Sequence, residues 1–408
     1  MKQKNILILA ILWLLVMVSV VASAVTLLAS GKSFELSRWV SREEYEMIER
    51  YSRLEDVRIR LSEGYFQEVN QEDLMNGALK GMMASVQDPY TFYYTPDEMQ
   101  KHHQQSGSAY KGVGLLIQNN SDGYIEIIRS YTGGPADQAG VQVGDLILRV
   151  DGIHVSGADS KSLNDAVALM KGEDGSQVVL TISRNGAEQD LTIVRGEVNV
   201  SNVSWQMLDN GVGYINIFQF TGDVVTAFEG ALRELQANGM QGVVIDLRNN
   251  PGGILDDVVA IADEVLPAGV IVYTEDRQGK REDFYSDESW VDFPMTVLIN
   301  DMSASASEIF AAAVQDYARG TVVGEKSYGK GVVQTVIEYE EDGAGMQYTS
   351  SSYYTPSGES IHGVGVTPDI LVSSEDGFVS YSGIPDIEKD VQLQVAVETL
   401  MKEIKEAN

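Results

Sequence analysis

Two short apolar runs in the second half of the chain each lead straight into a turn and then into a helix-period stretch. Gly242-Val-Val-Ile-Asp-Leu-Arg248 is followed by Asn249-Asn-Pro-Gly-Gly253, after which Ile254, Val258, Ile261, Ala262 and Val265 share one helical face. Met295-Thr-Val-Leu-Ile299 precedes Ser303-Ala-Ser-Ala-Ser-Glu308 and an alanine-rich stretch, 306–318, with Ile309, Phe310, Ala313, Val314 and Tyr317 at helical spacing. Thr321-Val-Val323 reads as the next strand. Short unbroken apolar runs of this kind suit strands buried on both faces. Residues 199–373 are therefore expected to form an α/β body on a parallel or mixed sheet.

The connections matter chemically. At a strand-to-helix turn, unbonded backbone N–H groups and the positive end of the helix dipole can hold an oxyanion. Ser305 sits on such a turn. With Glu308 three residues later it is equally a capping box, the commoner reason for this pattern. Downstream, Lys330 stands between Gly329 and Gly331. At its ordinary value of about 10.4 a lysine is useless as a base at neutral pH, but a dry pocket favours the neutral amine, which can take a serine's proton. The glycines allow the close backbone approach that such a pocket needs. A surface turn lysine is the plain alternative.

Ser303-Ala-Ser-Ala-Ser-Glu-Ile-Phe-Ala-Ala-Ala-Val-Gln-Asp-Tyr317, followed by Val323-Gly-Glu-Lys-Ser-Tyr-Gly-Lys-Gly-Val-Val-Gln334, closely resembles the carboxyl-terminal processing peptidases, or tail-specific proteases. The resemblance implies that Ser305 is the nucleophile, Lys330 the general base and Gln334 the residue that positions the lysine. The family usually carries Thr where Ser327 stands; a hydroxyl is kept, so little consequence is expected. Leu247-Arg-Asn-Asn-Pro-Gly-Gly253 resembles the family's active-site-lining motif, although alone it would be an ordinary βα turn. Oxyanion donors are expected at the backbone N–H of Ala306 and of Gly252 or Gly253. Asp88-Pro-Tyr-Thr-Phe-Tyr-Tyr94 resembles a further family segment, whose aromatics are expected to pack on the body without chemistry of their own. In the closing segment, Tyr353–Asp369, His362 stands where the family usually has glutamine.

Residues 108–198 differ in character. Pro135-Ala-Asp-Gln-Ala-Gly-Val-Gln-Val-Gly-Asp-Leu-Ile-Leu-Arg-Val-Asp-Gly152 and the strands around an Asn185-Gly186 hairpin turn look like a PDZ domain, β-rich with two helices. In that family a glycine loop donates backbone N–H groups to a peptide's terminal carboxylate. Here the loop would be Gly112, Val113, Gly114 and Leu115, the candidate substrate-binding residues. Delivery of a tail and gating of the site are both open roles for the module.

At the N-terminus, Lys2 and Lys4 precede a run from Ile6 to Ser30 without a charged residue. About 25 residues at ~1.5 Å each suffice for a transmembrane helix. The flanking charges favour a cytoplasmic tip and an exported remainder, and Ala22-Ser-Ala24 leaves a cleaved signal peptide as the rival. With 60 acidic against 29 basic residues the chain should repel nucleic acid, and without cysteine it must be held by its cores. The histidines, His102, His103, His154 and His362, fall in no serine-protease motif. No metal-binding pattern is present, so neither metal nor cofactor is expected.

The expected plan is an anchor over 1–31, a helical region over 32–107, a PDZ domain over 108–198, a Ser/Lys peptidase core over 199–373 and a C-terminal helical region over 374–408. The implied protein is a membrane-anchored endopeptidase of a bacterial envelope that cleaves proteins at or near free C-terminal tails, with a homodimer through the terminal helices as a suggestion. A non-catalytic PDZ scaffold and an acyl-group enzyme on a similar body are the alternatives.

Overall fold

The computed structural model describes residues 41–106, 109–120, 122–131, 133–199, 201–373 and 386–407. The apolar run at 6–30, and with it the expected anchor, lies outside them. Among the described residues no helix is long and apolar enough to cross a membrane.

The chain divides into two compact units, one ending at Met82 and one starting at Met83. The first carries helix α1 (Arg42–Gly64) and most of α2 (Gln71–Ala84). A complete capping box starts α1: the Glu44 N–H donates to the Ser41 hydroxyl, and the Ser41 N–H donates to the Glu44 carboxylate. No residue of α1 is buried.

The second unit opens with a short strand, β1 (Phe92–Tyr94), and helix α3 (Pro96–Ser106). A β-rich module follows: β2 (Ala109–Gly112), β3 (Leu115–Asn119), β4 (Ile125–Ser130), a single-turn α4 (Pro135–Gln138), β5 (Leu146–Val150), β6 (Ile153–His154), α5 (Ser160–Met170), β7 (Gln177–Arg184), β8 (Ala187–Val194) and β9 (Gly196–Asn199). Its antiparallel sheet runs β3-β4-β5-β7-β8, while β2 pairs with β9. Burial alternates strictly along β4, so Ile125 and Ile127 enter a core with Ile147, Leu180, Ile182 and Ile193. Asn185 and Gly186 both take positive φ, the type I′ geometry that suits a two-residue hairpin. This is the PDZ architecture expected from the sequence.

The remaining elements are β10 (Val203–Met207), β11 (Val212–Ile217), α6 (Val224–Ala237), β12 (Gly242–Asp246), α7 (Leu255–Asp263), β13 (Gly269–Asp276), β14 (Arg281–Ser286), β15 (Met295–Ile299), α8 (Ala306–Asp316), β16 (Thr321–Gly324), β17 (Val332–Glu338), β18 (Gly345–Tyr354), β19 (Ile370–Leu371) and α9 (Val391–Ala407). The main sheet has the order β10-β11-β12-β15-β16-β19. Every neighbouring pair is parallel except β10 with β11, so the sheet is mixed as expected. Val243 and Ile245 of β12 pack with residues of α6, α7 and α8, whereas Val244 packs with Leu393, Val397 and Leu400 of α9. Helices therefore cover both faces, which is why these strands read as unbroken apolar runs.

A second, antiparallel sheet was not expected. It runs β1-β18-β13-β14, with β17 also on β18. Its central strand β18 is largely half-exposed and polar, and β1 pairs with β18 about 250 residues away, so neither local pattern nor chain proximity announces the sheet.

Candidate active site

Two turns meet at the C-terminal ends of β12 and β15, where helix N-termini converge in a parallel sheet. After β12, Asn249 and Asn300 exchange bonds: the Asn249 N–H donates to Asn300 Oδ1 and Asn300 Nδ2 to Asn249 Oδ1, both at 2.9 Å. The Asn250 carbonyl accepts the Ala304 N–H at 3.0 Å and the Ser307 hydroxyl at 2.9 Å. The Ser303 hydroxyl donates to the Leu247 carbonyl at 2.8 Å. The turn after β12 is thereby zipped to the serine run that precedes α8.

The three serines of that run divide sharply. Ser303 and Ser307 are fully buried and bonded to backbone, while Ser305 between them is partly exposed. Ser305 also has φ 55° and ψ −115°, an unusual conformation for a residue with a side chain. Across from it, Gly252 lies so close that a Cβ there would stand 2.7 Å from Ser305 Cβ and 2.8 Å from Ala306 N. Only glycine fits.

Glu308 explains how the serine and lysine segments are held together. Its carboxylate is completely buried and accepts four bonds: Ser305 N–H (2.8 Å), Lys330 N–H (2.8 Å), Gly329 N–H (2.7 Å) and the Ser327 hydroxyl (2.5 Å). Ser327 Oγ in turn accepts the Val366 N–H at 2.6 Å. Tyr353, buried beneath, donates its hydroxyl toward both the Ser305 and the Lys330 carbonyls. At Gly331 the chain passes so near His362 that a Cβ would meet its backbone N at 2.4 Å. Ser305 and Lys330 are thus brought together by their backbones, clamped by a common carboxylate.

Burial pushes the Lys330 amine below its ordinary value, against the opposing pull of the Asp88 and Glu308 carboxylates. The Nζ lies over the Tyr90 ring, 4.8 Å from its centroid. Gln334 follows a bulge in β17, and its amide donates to the Val332 carbonyl at 3.3 Å rather than to Lys330. Of the glycine amides proposed as oxyanion donors, that of Gly252 is taken by Asn250 Oδ1 at 2.8 Å. Gly252 contributes space instead of a donor. Gly253 and the helix-starting Ala306 keep their N–H groups outside the hydrogen bonds of the turn.

The motif Arg248 does not line the site. It is buried and binds Asp246 and Asp390 through its guanidinium, with Gln392 also accepting from it, so it ties the end of β12 to the start of α9. In the PDZ module, Gly112, Val113 and Gly114 are buried and only Leu115 is partly exposed. The Val113 carbonyl accepts the Ala136 N–H, and Gly114 packs against Val198 and Pro135. Sequence reasoning missed Tyr90, Asp88 and Tyr353 as parts of the site. The Asp88–Tyr94 motif was visible, but its position beside the lysine depends on a pairing that spans most of the chain.

Comparison with known proteins shows which family the chain resembles. Residues 211–372 match peptidase family S41, 126–184 a PDZ domain and 24–98 the N-terminal domain of the activating protease CtpB. A carboxyl-terminal-processing protease from Synechocystis sp. is 38% identical over 331 residues, covering 79% of this chain and 76% of its own. The carboxy-terminal processing protease CtpA of Bacillus subtilis is 31% identical over 385 residues, covering 94% and 80%. Among solved structures, the photosystem II D1 C-terminal processing protease aligns with a TM-score of 0.50 at 29% identity, covering 82% of this chain and 94% of its own. A putative S41 protease from Bacteroides fragilis gives 0.57 at 18% identity, a likeness of fold, over 83% and 91%. The chain belongs to the carboxyl-terminal processing proteases, PDZ-bearing serine-type peptidases of family S41.

Proposed function

We propose that the chain is a membrane-anchored, extracytoplasmic endopeptidase that cleaves protein substrates at or near free C-terminal tails by a Ser305/Lys330 dyad. The observation that carries this reading is the shared clamp: Glu308 fixes the backbone of a strained, partly exposed serine and of a lysine whose amine is pushed toward neutrality. The neutral Lys330 amine takes the Ser305 hydroxyl proton as Oγ attacks the peptide carbonyl, and the resulting ammonium gives that proton to the leaving amine. The N–H groups of Ala306 and Gly253 hold the tetrahedral oxyanion, and water then releases the acyl group from Ser305. Gln334 steadies the lysine once substrate draws the two side chains together.

Lys2, Lys4 and the uncharged run from Ile6 to Ser30 support a single membrane span with the catalytic part outside the cytoplasm. The PDZ loop, Gly112 to Leu115, would take the tail carboxylate, either to deliver the tail or to gate the site. A homodimer through the terminal helices fits the unburied surface of α1.

The test uses the full chain in detergent, with Ser305→Ala and Lys330→Ala beside it, and an unfolded protein carrying an apolar tail with a free or an amidated end. Cleavage by wild type alone, stronger for the free end, is the expected result by mass spectrometry. Cleavage surviving either substitution removes the dyad. Tail binding with no cleavage by any form would leave a PDZ scaffold.

A further inference from the structure

The segment before β1 reaches the lysine from outside both catalytic turns. Asp88 accepts the Tyr90 N–H at 3.0 Å and the Thr91 hydroxyl at 2.6 Å. The Tyr90 carbonyl accepts Gln347 Nε2 at 3.1 Å, and the Thr349 N–H donates to Thr91 Oγ1 at 3.3 Å, so the segment is strapped onto β18. This strap fixes the Tyr90 ring under Lys330 Nζ. Asp88, Tyr90, Thr91 and Thr349 form one wall of a cavity of about 910 Å³, with Tyr328, Val332, Met346 and His362 among its other lining residues.

We propose that Asp88 and Tyr90 are positioning residues that cradle the Lys330 ammonium and set how readily it yields its proton. This rests on the dyad reading for its role in cleavage, though not for its effect on the lysine itself. The ring's negative face attracts an ammonium and has no comparable hold on a neutral amine. The charged and titratable groups around Lys330 are Asp88, Glu308, Tyr90, Tyr328 and Tyr353, and His362 bears on Asp88. Burial raises the Asp88 carboxyl, but the bonds from the Thr91 hydroxyl and the Tyr90 N–H help to outweigh it, so Asp88 stays ionised at neutral pH. Burial alone disfavours the Lys330 ammonium and offers it no partner. The cradle gives the protonated form a resting place, which the lysine must reoccupy after each proton it accepts.

The experiment reads the lysine directly. In the full chain carrying Ser305→Ala, trace acetic anhydride is applied from about pH 6 to about pH 11, and Lys330 acetylation is followed by peptide mass spectrometry to find its titration midpoint. Adding Tyr90→Leu, which keeps bulk without a π face, is expected to lower the midpoint by about half a unit or more. Adding Asp88→Asn also lowers it, whereas Tyr90→Phe leaves it in place. An unmoved midpoint in both Tyr90→Leu and Asp88→Asn overturns the proposal; if Tyr90→Leu does not fold, Asp88→Asn decides alone. Cleavage profiles in the Ser305 background provide the second arm. There the acid limb of kcat/KM should fall with the midpoint. If midpoints move while Lys330→Ala still cleaves, the dyad fails and the cradle stands; the reverse pattern sinks the cradle alone.

Discussion

The PDZ loop and the Gly329–Gly331 turn are both glycine-framed, and they are held in opposite ways. At Gly112–Gly114 the backbone is packed away beneath α4 and β9, and the carbonyls of Val113 and Gly114 are bonded to their own module. At Gly329 and Lys330 the backbone N–H groups are bonded to a carboxylate from another element, Glu308, and the lysine amine lies over the Tyr90 ring. One loop is closed upon itself; the other is fastened to Glu308, the carboxylate that also holds the Ser305 N–H. A glycine motif therefore identifies a loop that can approach something closely, without saying what it approaches.

The sharpest way to break that contrast is Glu308→Ala. It leaves three N–H groups and a hydroxyl without their buried acceptor, and should destabilise the protein by about 3 kcal/mol or more in denaturant unfolding. Cleavage should fall to background. Gly252→Ala comes next, because its Cβ would displace Ser305 and Ala306; a shift of about 1 Å at Ser305 should lower kcat about 100-fold in a peptide assay. Ser327→Ala deprives Glu308 of a donor and Val366 of an acceptor, at about 1–2 kcal/mol in thermal unfolding, whereas Ser327→Thr should stay within about 0.5 kcal/mol.

A pH series sharpens the same comparison. The Lys330 amine is lowered in the folded protein, so the unfolded chain binds more protons between that lowered value and the ordinary one of about 10.5. Stability should therefore rise with pH across that window through this group, and Lys330→Met should flatten the slope in urea unfolding. The smallest effect is expected at the PDZ loop. Gly114→Ala, strained at φ 79°, should leave cleavage of a short amidated peptide within about twofold while reducing cleavage of a free-tailed protein.

Much of the main sheet could be read from residue order, because β12, β15 and α8 each carry their own signal: apolar runs, a glycine or serine turn, and helical spacing. The serine and lysine segments were legible through resemblance, and Asn185-Gly186 announced its hairpin. The clamp was only half visible. Glu308 reads as the acid of a capping box, and nothing in its neighbourhood says that it also binds Gly329 and Lys330. The strap bearing Tyr90 escaped notice because its contacts are made with β18, and polar, half-exposed strands carry little pattern. Arg248 belongs to the motif that resembles an active-site lining, yet its side chain turns toward Asp246 and Asp390. A motif shows that a residue matters without showing which side of the strand its side chain leaves.

That last residue has a consequence for the order of events in the making of the enzyme. Arg248 and Asp390 are 142 positions apart, so a ribosome completes the sheet and both catalytic turns before the partner of Arg248 emerges. Until then a guanidinium at the base of the turn after β12 has two fewer partners than it needs, and the face later covered by α9 stays open to water. A chain that stops short of α9 is thus expected to be a poor protease, with full activity arriving only once α9 is in place.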